Sequence, residues 1–276
     1  MLEANAFNII RFGLIGILIG GVLNVLADDL PHYRRPRLPH YPDSTLRPIS
    51  AWFGLSAFLL GRRTSPSGTK LSWRYPLTEL LSAVAMIVVL VNVVAEDPAM
   101  PPLHMYFLLF YMAVFVLITV IDIEHKLILF SVIIPSCIVA LLDSVLTPTP
   151  YGPGLGDALL GGALGFGVFF LLYLGGYLFT YVMAKARGIE LNEVAFGYGD
   201  VMLATLSGLI LGWQPLIFAM FITIFVGAFG AFIYLVAVRV MGSRYTMFTA
   251  LPYGPYIVIG TIIMLVFSEA VSVFLR

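Results

Sequence analysis

Two aspartates stand where an apolar chain should carry none. Asp200 closes Gly197-Tyr198-Gly199-Asp200, directly before the apolar run VMLATLSGLILGW, and Asp122 ends a second run, MYFLLFYMAVFVLITVID. An ionisable group at bilayer depth is costly and is held there by a partner or a role. Two carboxylates brought together can share a proton, one acting as base and the other as acid. Gly197 and Gly199 each weaken a helix by about 1 kcal/mol, so the motif predicts a break just ahead of Asp200 that admits water and an extended peptide. Irregular backbone at membrane depth is tolerated only against protein or a water-filled cavity. On the motif alone, an aspartate capping a helix after a glycine-rich loop accounts for the same residues, because Asp is a favoured cap.

The elements that must position these acids are helices in a membrane. The 276 residues are 60% hydrophobic and 11% charged, the composition of a polytopic membrane protein. Net charge is zero, so no nucleic-acid partner is expected. The one cysteine, Cys137, lies in an apolar run and reads as a small core hydrophobe; it leaves no internal disulfide and no cysteine-based zinc cluster. The N-terminus lacks a cationic n-region and an A-x-A cleavage site, so the first apolar run is expected to be a retained helix.

Apolar spans fall at roughly 7–27, 77–95, 104–121, 127–146, 158–183, 193–213, 216–238 and 250–273. They predict an all-α polytopic membrane protein with about eight transmembrane helices. The stretch 28–75 carries Arg34, Arg35, Arg37, Arg47, Arg62, Arg63, Lys70 and Arg74 and is expected to be a cytoplasmic loop subdomain. Lys126, Lys185, Arg187, Arg239 and Arg244 fall in alternate connections on that same side, whereas 96–103, 143–157 and 212–215 contain no Lys or Arg. Both termini are therefore expected outside, with Arg11 and Arg276 off the pattern. Gly16 with Gly20, Gly161 with Gly165, and Gly227 with Gly230 are spaced for close helix packing.

Depth can be counted from helical rise. Asp200 precedes Trp213 by 13 residues and Asp122 follows His104 by 18, about 20 and 27 Å of helix. Both carboxylates are expected toward the cytoplasmic side, within about 7 Å in depth, and can meet if the third and sixth spans are neighbours.

GxGD opening a membrane helix, with a second Asp at the inner end of an earlier helix, resembles the type IV prepilin peptidases. Further segments share the likeness: GGVLNVLADDLP (Gly20 to Pro31), SWRYPLTELLSA (Ser72 to Ala83), VIDIEHKLI (Val120 to Ile128) and LPYGPYIVIG (Leu251 to Gly260). The resemblance implies an aspartic endopeptidase of the bacterial inner membrane that removes the basic leader of prepilins and pseudopilins at the cytoplasmic face. Asp122 and Asp200 match its two catalytic positions, and no metal is implied. It further implies N-methylation of the new amino terminus with S-adenosylmethionine, and two domains: residues 1–75, methyltransferase-like, and 76–276, the peptidase.

This chain departs from the family in four places. The two CxxC pairs of the first loop are absent where AWFGLSAFLLGRRTSPSGTKLSW stands, and Asp29 replaces the usual Arg. Met202 replaces a Lys two residues after the motif Asp, and Leu129 replaces a Pro. Losing a cation near a carboxylate predicts an altered pH dependence. Glu79 is expected in the first turn of the second span, either complementing the helix dipole or lining the substrate cleft. Glu124 and His125 read as interfacial residues at a helix end or as groups orienting the two acids. Arg34, Arg35 and Arg37 read as topology determinants or lipid headgroup contacts, and Asn24 as a packing residue or part of a cofactor pocket. Two rival functions use the same acids: a presenilin-type GxGD protease cutting within substrate helices, and a proton-coupled transporter.

Overall fold

A computed structural model describes residues 4–94, 100–147, 149, 151–187, 197–240 and 252–267. Arg244, Arg276, the start of the sixth expected span and both ends of the eighth lie outside them. The described chain is helical apart from loops and two isolated bridges. Among the described residues five helices are long and apolar enough to cross a membrane, and three shorter apolar helices, Phe130–Leu146, Tyr198–Leu211 and Gly254–Val266, accompany them. These eight fall at the eight apolar runs. Backbone packing divides the chain into two compact units, Met1–His125 and Lys126–Arg276.

In the first unit α1 (Ala6–Asp29) begins at Asn5, whose side chain accepts the Asn8 N–H at 2.9 Å. It packs along α3 (Arg74–Val89), and both meet α4 (Pro102–His125). Gly16 lies on the Ala83 backbone and Gly20 on Glu79 so closely that a side chain at either would collide with α3. The small-residue spacing thus marks a real contact. Among the helices that extend beyond their apolar runs are α3 and α4. Arg74 starts α3, and α4 continues through His125, so Asp122 lies within its last turn.

The loop between α1 and α3 is a small folded piece. It holds a short helix α2 (Gly54–Leu59) and a core of Tyr41, Ala51, Ala57, Leu71 and Tyr75. Arg47 is buried beside it: its guanidinium lies 4.3 Å from the Tyr75 ring centroid, and its Nε donates to the His40 carbonyl at 2.7 Å. Burial pulls this guanidinium below its ordinary pKa, opposed by Tyr75 and Asp28. Two turns project from this core, closed by the bridges His40–Leu46 and Thr64–Lys70. Asp43 joins them: it accepts the Thr45 N–H at 3.0 Å and the Thr45 and Ser65 hydroxyls at 2.6 Å each, and also the Ser67 hydroxyl. The second turn lies in the stretch where the family resemblance expects cysteines; here hydroxyl groups and one carboxylate close it.

Glu79 locks the loop to the helices. It is the sixth residue of α3, beyond the first turn where the sequence placed it, and has 0% exposure. Its carboxylate accepts the Gly54 N–H at 2.5 Å, the Leu55 N–H at 2.8 Å and the Asn24 amide at 3.3 Å. The helix start it satisfies is therefore that of α2, and its oxygens are spent inside the fold.

In the second unit α6 (Leu155–Arg187) and α7 (Tyr198–Leu211) make the closest contact. Gly161 and Gly165 meet Gly208 and Ala204 backbone to backbone. α5 (Phe130–Leu146) and α9 (Gly254–Val266) also pack on α7, and α8 (Trp213–Val240) packs on α9. Gly212, at φ 78°, separates α7 from α8, a left-handed conformation that favours glycine.

Glu79→Ala is expected to destabilise the first unit by roughly 3 kcal/mol, since it strands two backbone donors and an amide in a buried site. Glu79→Gln, keeping one acceptor oxygen, should lose less. Limited proteolysis within residues 30–73 checks this, and wild-type resistance in the Ala variant would refute it.

Candidate active site

Asp122 is 5% exposed in the last turn of α4, among Val120, Ile121 and Ile118, all buried. Two residues on, Glu124 Oε2 lies 3.1 Å from Arg74 Nη1 and 3.9 Å from His125 Nε2. The His125 ring meets the edge of His32, with centroids 5.6 Å apart. The contacts described for Glu124 and His125 thus run to the ends of α1 and α3. Arg74 also binds Asp28, whose two oxygens each accept the Tyr75 hydroxyl at 3.1 Å.

Asp29 has no exposed surface and is bound within the loop. Arg37 donates to it from its backbone N–H at 2.9 Å, from Nε at 3.2 Å and from Nη2 at 2.9 Å. The position where the family carries a cation therefore holds an anion, with a cation supplied eight residues later. Asn24, also in that segment, is buried and donates to the Tyr75 carbonyl at 3.0 Å as well as to Glu79, while its Oδ1 has no hydrogen-bond partner.

Gly197 has an extended backbone (φ −84°, ψ 148°) and caps α7, which starts at Tyr198. Asp200 is the third helical residue and 9% exposed. Its Oδ2 accepts the Gly197 N–H at 3.2 Å, and its own N–H reaches the Gly197 carbonyl at 3.1 Å. The motif is therefore a helix start. The carboxylate folds back on the cap residue, without being the cap itself. One side of this turn is packed, while Gly197 and Tyr198 stay exposed. Gly199 presses on Ile128, where a Cβ would approach to 2.8 Å, and the Tyr198 ring sits between Phe130 and Tyr173 at 6.0 and 5.8 Å. Tyr253, ahead of α9, lies within electrostatic reach of Asp200.

Leu129 caps α5 in an extended conformation (φ −85°, ψ 126°), close to the backbone a proline would impose. The substitution leaves the local path intact. Met202 is half-buried on α7.

The sequence missed the Asp29–Arg37 pair, the Arg74–Asp28–Tyr75 cluster and the Asp43 bonds. Each joins residues by tertiary folding of a loop with no periodic pattern. The hydroxyl donors, Ser65 first, hold the Asp43 carboxyl well below the usual carboxylate range. For a depressed carboxylate the stabilising contribution is complete above the unfolded value, near 4, and is lost as pH falls through the folded one. Amide exchange at Tyr41, Ser65 and Gly68, corrected for intrinsic rate, should thus stay slow from pH 7 to about pH 4 and rise only below it. In Asp43→Ala it should be fast throughout. Equal protection in that variant would refute the role.

A family model described as the type IV leader peptidase family matches residues 109–232, which hold both Asp122 and Asp200. A prepilin leader peptidase/N-methyltransferase of Aeromonas hydrophila is 28% identical over 94% of this chain and 90% of its own length. Proteins of the same name from Aeromonas salmonicida (strain A449) and Pseudomonas putida are 30% and 26% identical. The first match covers 86% of this chain and 72% of the relative, the second 94% and 90%. No solved structure matches the chain.

Proposed function

This chain belongs to the type IV leader peptidase family, and from that premise we propose that it cleaves the basic leaders of type IV prepilins and pseudopilins with Asp122 and Asp200. It is a multi-pass membrane aspartic endopeptidase, which we assign to the bacterial inner membrane with the cleavage site at the cytoplasmic face. The observation that carries the reading is Asp200, nearly buried in the first turn of α7 behind Gly197 and Gly199, in a chain that also keeps Asp122 at the end of α4.

Two carboxylates in one site share a proton and titrate as a unit. The ionised member takes a proton from water as the water oxygen attacks the scissile carbonyl. The protonated member donates to the carbonyl oxygen. Collapse of the tetrahedral intermediate breaks the C–N bond, and a proton passes to the departing amine. The reaction is hydrolysis and draws on no cofactor. Gly197, exposed and without a side chain, leaves room beside Asp200 that an extended peptide would use, whereas the space at Gly199 is taken by Ile128.

The relatives' names add N-methylation, for which S-adenosylmethionine would supply the methyl group. Of the three polar side chains of the first segment, Asp28 and Asp29 are taken up by internal partners and Asn24 donates internally through its Nδ2, but the Asn24 Oδ1 is buried without a hydrogen-bond partner. The unpartnered Asn24 Oδ1 is an acceptor such a ligand would meet, and the methyl group the ligand supplied would go to the new amino terminus.

Mass spectrometry of a prepilin co-expressed with each variant tests the reading. Wild type should release the leader, while Asp122→Asn and Asp200→Asn should each lower cleavage by a factor of roughly 1,000 or more, about 4 kcal/mol of barrier. Cleavage surviving either substitution overturns the assignment, and the mass of the new amino terminus reports methylation directly. Met202→Lys should move the acid limb of the pH–rate profile to lower pH, because a nearby cation favours the ionised carboxylate. A profile superposing on wild type would show that residue 202 does not reach the pair.

A further inference from the structure

The ends of α1, α3 and α4 in the first unit surround a cavity of about 600 Å³. Arg34, Lys70 and Arg74 line it together with the imidazoles of His32, His40 and His125. Two carboxylates share the wall, but Asp28 is already taken by Arg74 and Tyr75, with Arg47 Nη2 3.9 Å behind it. The rim cations Arg34 and Lys70 are exposed.

Arg74 is the informative residue. Its side chain is 10% exposed, lies 4.2 Å from the Tyr75 ring centroid and commits Nη2 to Asp28. Its Nε and Nη1 are buried without a hydrogen-bond acceptor. Nη1 is 3.1 Å from Glu124 Oε2, an ion pair whose geometry does not make a hydrogen bond. A buried guanidinium with unmet donors is a costly arrangement unless an acceptor with several oxygens completes it, and a planar fork suits phosphate. Trp73 and Tyr33, each next in sequence to a lining arginine, are exposed. Such amphipathic rings gather at the level of lipid headgroups.

We propose that this cavity, with Arg74 at its base and Arg34 and Lys70 at its rim, binds a phosphate-bearing anion, the headgroup of an anionic phospholipid. Phosphate oxygens would meet the Arg74 guanidinium where it lines the cavity, its covered Nε and Nη1 becoming donors to them as the side chain turns, and the rim cations would supply attraction along the entry. Arg34, which the sequence left between topology and lipid contact, acquires a specific place, whereas Arg37 is spent on Asp29. The proposal is independent of the peptidase reading, since its readout is binding.

The test uses the full chain purified in detergent, with native mass spectrometry against phosphatidylglycerol and phosphatidylcholine of identical acyl chains. Phosphatidylglycerol should be retained in preference. The double variant Arg34→Gln/Lys70→Gln, which leaves the Arg74–Asp28 pair in place, should weaken its binding roughly thirty-fold, from about 1 kcal/mol per cation. Arg74→Gln should abolish the preference, with thermal unfolding reporting whether the fold survives. Inorganic phosphate should compete. Equal retention of the two lipids, or unchanged binding in the double variant, overturns the proposal. Phosphate bound at the cavity without any preference for phosphatidylglycerol overturns the lipid source and assigns a soluble phosphate ester.

Discussion

Glu79 carries a carboxylate with no exposed surface, and much of the first unit is arranged to give it donors. A buried charge is tolerated only when it is paired and hydrogen-bonded. Those donors come from α1 through Asn24 and from the start of α2 in the loop, so one side chain fastens three pieces of chain. Gly20 lies against the Glu79 backbone, and only its lack of a side chain lets α1 approach. The same requirement recurs at Asp28, met by Arg74 and Tyr75, and at Asp29, met by Arg37. Loop 30–73 is ordered because it carries the donors that buried acids of the helices need.

In the second unit close backbone contact does comparable work. Gly161, Gly165 and Gly208 bring the backbones of α6 and α7 into contact, with dispersion acting over the close approach. α7 is short, and its first turn must still present Asp200 in a fixed place. Packing of Gly199 on Ile128 and of Tyr198 between two rings settles that turn from outside the helix, while the Gly197 N–H settles the carboxylate from within. A larger residue at 199 would press on Ile128 and shift the carboxylate with it.

The sequence made the helices, their small-residue contacts and the two aspartates legible, because hydropathy and spacing report directly on burial and close approach. It was least informative where polar groups bind each other across a loop. Arg74 lay just outside the apolar run that announces α3, yet its side chain is mostly covered, because Asp28 and Tyr75 receive it. Glu79 read either as a helix-dipole residue or as part of the substrate cleft, since nothing in its own segment reveals that the donors come from Gly54 and Leu55, 25 and 24 positions earlier. His125 and Glu124 were visible as a polar helix end, but their partners Arg74 and His32 come from separate stretches of chain.

At Asp43 a loop is closed by hydrogen bonds alone, and the closure is correspondingly weaker than a metal would make it. A metal bound by thiolates would tie such a piece together through strong bonds whose loss unfolds it. Here one carboxylate bridges two turns through three hydroxyls and a backbone N–H. Each of these bonds competes with water, and their net worth is small. The closure then leans on the apolar group beneath it, Tyr41 and Leu71 packed with Tyr75, and on Arg47 held over the Tyr75 ring. The same Tyr75 hydroxyl binds Asp28. One aromatic residue therefore connects the loop core with the polar cluster at the end of α4, so a change that loosens the turns reaches Glu124 through Tyr75 and Arg74.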